Sequence, residues 1–199
     1  MKFRYCWLLA AVLVWTGCGK EERREATSLC KVLSQKQADL AATNGLEKDL
    51  VASTRAWYEG IINNGAGAGK GLEDNAASAK TLSQSAALVS TQLGQVRQAI
   101  YDQPLKQEYP QGVRDTVINQ LMKRQRTLQE VRAALDACAA NFVEFEHSRA
   151  YKGDTYPAGI DKLNSLLSGY TGPEDAVGKA TQDLKSKYTL TDADLLSKT

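Results

Sequence analysis

The stretch VRDTVINQLMKRQRTLQEVRAALDACAANFVEFEHSRAY, residues 113–151, decides the fold. Val117, Leu121, Leu128, Val131, Leu135, Cys138, Phe142 and Phe145 recur at alternating spacings of three, four and seven. That is the heptad pattern of a helix with one apolar seam. Only Arg124 breaks the series, and a long cationic side chain is expected to lay its stem along the seam with its head in water. A helix of this length needs partners along its whole seam, and the chain before it supplies two.

Residues 74–101 carry Leu82, Ala86, Val89, Leu93, Val96 and Ile100 at the same spacing, with alanines that permit close approach. Residues 26–63 carry Leu29, Leu33, Leu40, Leu50, Trp57 and Ile61 on one stripe. Asn44-Gly45 interrupts that stripe, either as a tight turn or as a weak point in a continuous helix. Pro104 and Pro110 bracket a polar connection. GAGAGKG, residues 65–71, reads as an interhelical linker. It lacks the strand, the first glycine and the final Ser or Thr of a phosphate-binding loop.

Three shorter helices are expected after Gly153 and Pro157. Ile160, Leu163, Leu167 and Tyr170 share one face of the first. Pro173 stands where a helix start tolerates it, and Val177, Thr181, Leu184 and Tyr188 define the second. Thr191 caps a last turn containing Asp192 and Asp194. The expected fold is all-α: an antiparallel bundle of long helices with coiled-coil-like seams, plus short C-terminal helices. No period of 20 to 50 residues marks a solenoid.

Candidate chemistry is sparse. His147 is the only histidine, so Glu144-x-x-His147 cannot form the paired motifs of a di-iron bundle, nor a His-rich zinc site. Ser28-x-x-Lys31 matches one element of penicillin-recognising enzymes, but their S-D-N and K-T-G elements do not occur. Glu73-Asp74 and Asp192-x-Asp194 suit helix starts, where anions meet the positive end of the dipole. Lys123, Arg124 and Arg126 read as a solvated face. No catalytic residue, metal ligand or cofactor site is expected, and the chain is not expected to be an enzyme.

The N-terminus is more specific. Met1-Lys2-Phe3-Arg4 is basic, and residues 5–15 are apolar without a charge, which is the layout of an export signal too short to span a membrane. It ends at Thr16-Gly17-Cys18, which resembles the lipobox of bacterial lipoproteins. Thr16 and Gly17 suit the two positions before the cysteine, while Trp15 stands where that family usually has Leu. The resemblance implies cleavage before Cys18, a diacylglyceryl thioether on its sulfur and a fatty acyl group such as palmitate on its amine. Two or more acyl chains give stable anchoring. Gly19 stands where the family's inner-membrane retention signal places Asp, which favours the periplasmic face of an outer membrane. The organisation is then a signal at 1–17, a lipidated tether at 18–26, the long-helix bundle at 27–151 and short helices at 152–199.

Removing Lys2 and Arg4 with the signal leaves 23 bases against 23 acids. Such a balance argues against nucleic acid and against a polybasic membrane patch. It also leaves Cys30 and Cys138 as spare thiols. They form a disulfide if the chain reverses at Asn44-Gly45, and are two separate buried thiols if the first helix is continuous. The functional expectation is a lipid-anchored envelope protein, held to the membrane through Cys18, that acts as a helical interaction or structural module for another envelope protein. The alternative is a binding protein for a small apolar or lipid ligand, in a pocket lined by Trp57, Phe142 and Phe145.

Overall fold

The computed structural model describes residues 5–65, 71–148 and 156–196, with side chains from residue 19 onward. Residues 1–4 of the expected signal and the side chains of residues 5–18, Cys18 included, lie outside the described residues, as do residues 66–70 of the glycine-rich linker. The order is α1 (Tyr5–Asn64), α2 (Gly71–Tyr101), α3 (Glu108–Ser148), α4 (Ile160–Ser168), α5 (Ala176–Tyr188) and α6 (Asp192–Leu196). There is no strand among the described residues, and none of these helices is long and apolar enough to cross a membrane. The chain is therefore all-α, with long helices packed on one another and short helices at the C-terminal end.

One open choice is decided and two local expectations are corrected. Asn44-Gly45 is not a turn: α1 passes through it, because its inward face continues as Leu40, Thr43, Glu47, Leu50, Thr54, the half-buried Trp57 and Ile61 at three- and four-residue steps. Residues 19–26 are helical rather than a loose tether, and Ala26 is fully buried. Pro110 lies inside the first turn of α3 rather than before it, a place where its missing N–H would have had no partner anyway.

The chain divides into two compact units. The first comprises Met1–Asp39, Val96–Gln120 and Asp175–Thr199, and the second Leu40–Gln95 and Leu121–Glu174. In the second unit, α1 and α2 run antiparallel: Thr43 Oγ1 donates to Gln92 Oε1 at 3.5 Å, and Ile61 and Asn75 line one cleft at the other end of the pair. α2 and α3 are also antiparallel. Ser83 Oγ donates to Asp136, while Gln125 Nε2 donates to the Ser90 carbonyl at 3.2 Å. Ala76, Ala79 and Ala134 keep the backbones close enough for Val131, Leu135, Cys138 and Phe142 to fill the centre. α4 closes this core with Ile160, Leu163 and Leu167. Arg55 Nη2 donates to the Leu167 carbonyl at 3.0 Å at the end of α4, beside the Tyr170 amide at 3.4 Å. Gly159 starts α4 at φ 91°, with the Ala134 carbonyl 2.6 Å from where a Cβ would sit. Only glycine suits both that conformation and that contact.

In the first unit, α1 buries Ala26, Leu29, Cys30 and Leu33. α2 and α3 bury Val96, Ile100 and Val117, and α5 buries Ala176, Val177, Ala180 and Leu184. Each fully buried leucine contributes about 2 kcal/mol of transfer free energy. The helix ends are capped by side chains. Glu25 Oε2 accepts from the Lys106 and Gln107 amides, both at 2.8 Å, just ahead of α3. Asp175 Oδ1 accepts from the Gly178 amide at 2.8 Å at the start of α5. Thr191 and Asp194 cap α6 reciprocally, the Asp194 amide donating to Thr191 Oγ1 and Asp194 Oδ2 accepting from the Thr191 amide.

The continuous α1 and the tight start of α4 give opposite signs for one kind of change. A Cβ at Gly45 meets nothing within 4 Å, so Gly45→Ala should stabilise the protein by up to about 1 kcal/mol in urea unfolding. Gly159→Ala should destabilise it by roughly 2–4 kcal/mol. A loss of stability in Gly45→Ala would show a turn at that position.

Candidate functional site

The first unit carries an open cleft of about 1130 Å³ between α3 and α5. Gly112, Thr116, Ala176 and Ala180 form its floor and walls, and their small side chains are why the two helices leave a trough there. Around it stand Glu22, Glu108, Asp183 and Lys179. Tyr109, at the start of α3, also lines it.

Tyr109 belongs to a cluster built from three helices. Its hydroxyl donates to Asp183 Oδ2 at 2.9 Å, and the Tyr188 hydroxyl donates to Glu22 Oε1 at 2.8 Å. The two rings meet edge to face with centroids 6.0 Å apart. Lys187 Nζ lies 3.0 Å from the Tyr109 ring centroid and 5.5 Å from that of Tyr188. The negative ring faces attract the ammonium and hold it in place. Desolvation first, and then the neighbouring carboxylate, push both phenols above the ordinary tyrosine range. Both stay protonated as hydrogen-bond donors, so the cluster is suited to holding a contact and offers no phenolate nucleophile. Close by, Lys185 pairs with Asp192 at 2.8 Å. This hydrogen bond lowers the Asp192 carboxyl and raises the Lys185 ammonium from their usual values.

In the second unit the strongest chemistry is buried. Arg124 does not send its head to water as expected. Its guanidinium bonds Glu47 Oε2 through Nε at 3.2 Å and through Nη2, and Nη2 also donates to Asn44 Oδ1 at 2.6 Å. The Arg124 and Glu47 side chains are only 12% and 3% exposed. The Tyr170 hydroxyl donates to the other Glu47 oxygen at 3.2 Å. Burial and then the Glu47 charge push that phenol upward. The reason for the correction is that α1 places an acid in its own seam opposite the arginine. Lys123 and Arg126, the other members of the basic cluster, are exposed.

The remaining sequence candidates fall in ordinary places. Phe142 is fully buried, Trp57 meets it edge to face at 6.1 Å and Phe145 packs against the same core. These aromatics fill the interior. Trp57 also lines a second open cleft, of about 950 Å³, between α1 and α2. His147 is exposed and its Nδ1–H donates to the Val143 carbonyl at 2.7 Å, while Glu144 accepts from Asn141. No group of three potential metal ligands occurs among the described residues. Cys30 and Cys138 are both buried free thiols. Cys30 sits in the first unit with its sulfur 3.9 Å from the Thr181 carbonyl, and Cys138 sits in the core of the second. The disulfide required a reversal in α1 that does not occur. Burial pushes the Cys138 thiol up to about 12 and raises that of Cys30. No family model, no curated protein and no solved structure matches this chain.

Two outcomes follow from this arrangement. Arg124→Ala should cost roughly 3–5 kcal/mol in denaturant unfolding because Glu47 is left charged and buried, whereas joint Glu47→Leu and Arg124→Leu replacement should recover most of that loss. A thiol reagent at pH 8 should label neither Cys30 nor Cys138 in the folded chain and both after unreduced unfolding, since raised pKa values keep the thiolates scarce. An unfolded chain that needed reductant before labelling would indicate a disulfide.

Proposed function

We propose that this chain is a lipid-anchored protein of the bacterial cell envelope that works as a helical interaction module. The observation that carries the reading is Cys18, placed directly after an apolar run and followed by a polar turn of sequence. A sulfur at that border is what lipid attachment requires, and two or more acyl chains suffice for stable anchoring. With Gly19 next to it, the periplasmic face of an outer membrane is the favoured location. The partner is another envelope protein, and the open cleft of the first unit, with Tyr109, Asp183 and Glu22 on its margin, is the surface best shaped to receive one. Its mixed charges and small-residue floor suit a polar helix or loop. The buried thiols, the protonated phenols and the single exposed histidine give no support to an enzymatic role.

The alternative, a carrier for a small apolar or lipid ligand, has weaker support, because Phe142 and its aromatic neighbours already occupy the interior that such a ligand would need.

Cys18→Ala should abolish incorporation of a fatty-acid analogue and move the protein from the membrane fraction to the soluble fraction. Membrane retention of the unlabelled variant would overturn the anchor.

A further inference from the structure

The charged sequence after Cys18 is folded, and this sets how far the protein can stand from its lipid. Gly19, Lys20 and Glu21 are exposed. Glu22 is already bonded to Tyr188, Arg23 lies 4.0 Å from Asp194, Glu25 caps the approach to α3, and Ala26 is in the interior. Only three residues therefore separate Cys18 from the first side chain fixed in the first unit. Four Cα steps span at most about 14 Å fully extended, and about 6 Å as helix. The polar layer of a bilayer is itself roughly 5–8 Å deep on each side.

The acids and bases of this segment are also sorted. Glu22 and Glu25 are half-buried and accept hydrogen bonds inside the unit, whereas Lys20, Arg23 and Arg24 are exposed, with Glu21 as the exposed acid among them and Asp194 beside Arg23. Lys187 is exposed beside Tyr188, the residue that holds Glu22. Within residues 19–25 three exposed bases stand against one exposed acid, a local excess that the near-balanced total charge hides.

We propose that the first unit docks directly on anionic phospholipid headgroups, with Lys20, Arg24 and the tyrosine-held Lys187 taking their phosphates. This rests on the lipid anchor at Cys18. The anchor brings the unit to the surface, and the cations fix which side of it faces the lipid. Lys187 is suited to this, because its ammonium is held by two rings and loses little freedom on binding a phosphate.

The test uses the full-length lipidated protein in vesicles, with a fluorophore on Ser186→Cys and nitroxide-labelled headgroups as quencher. A twelve-residue Gly/Ser insert after Gly19, with an average reach of about 20 Å, relaxes the tether without removing the lipid. With the insert, quenching should be at least threefold stronger on vesicles containing phosphatidylglycerol than on phosphatidylcholine alone. Joint Lys20→Gln, Arg24→Gln and Lys187→Gln replacement should abolish that difference, and the corresponding arginine replacements at Lys20 and Lys187 should keep it. Equal quenching on both lipids by a protein that floats with the vesicles would overturn the docking and leave the anchor standing. A protein that did not float would overturn the anchor and the docking with it.

Discussion

The structure depends on the seam of α1 staying on one face of the helix. Its buried residues keep steps of three, four and seven from Ala26 to Ile61, and any turn within that run would rotate half of them into water. Gly45 is helix-compatible but not helix-forming, so the weak point is held by its neighbours, not by its own propensity. Leu40, Thr43, Glu47 and Leu50 flank it on the buried side, and Asn44 takes a hydrogen bond from Arg124. Packing on one face can offset about 1 kcal/mol of glycine cost many times over.

The same seam explains the buried charges. Helices with narrow, alanine-rich stripes can slide past one another with little loss of apolar contact. Glu47 and Arg124 remove that freedom in the second unit. A slip of one turn would leave both charges in apolar surroundings without partners, at a cost of several kcal/mol. The net gain from the pair itself is small, but its cost when misaligned is large. Asn44 and Tyr170 take up further polar groups around it, although Arg124 Nη1 is buried without a hydrogen-bond partner. Thr54 Oγ1 and Trp57 Nε1 share that condition, and all three lie in the second unit.

Much of this was legible in the residues. The seams of α2 and α3, the buried faces of α4 and α5 and the cap at Thr191 follow from spacing and turn chemistry alone, whereas α5 starts at Ala176 behind an Asp175 cap and not at Pro173. What could not be read was polar residues in apolar positions. Thr43, Glu47 and Thr54 fill seam positions of α1, so the stripe looked interrupted just where Asn44-Gly45 suggested a turn. An acid in one seam and a base in the other were both visible, yet their meeting depends on the helix register, which no local pattern gives. Residues 19–26 misled for a related reason. Their charges look like solvent-exposed sequence, but Glu22 and Glu25 serve as acceptors for Tyr188 and for the amides ahead of α3. The cluster of Tyr109, Lys187 and Tyr188 had a weak signal of its own in two adjacent residues, and its third member is 78 positions away in sequence.

The balance of charge bears on how such a protein would find a partner. Long-range attraction raises association rates when two surfaces carry opposite net charge. A chain with 25 bases against 23 acids has little of that steering. Its carboxylates are also locally committed, with Asp183 to Tyr109, Asp192 to Lys185 and Glu22 to Tyr188. On the proposed anchoring, the lipid supplies by confinement what charge does not. Restriction to one surface raises the effective concentration of any partner held at the same surface, so a modest cleft with few strong contacts is enough. Specificity then rests on shape and on a few positioned groups, which is consistent with a cleft lined by small residues and by a tyrosine whose hydroxyl is fixed.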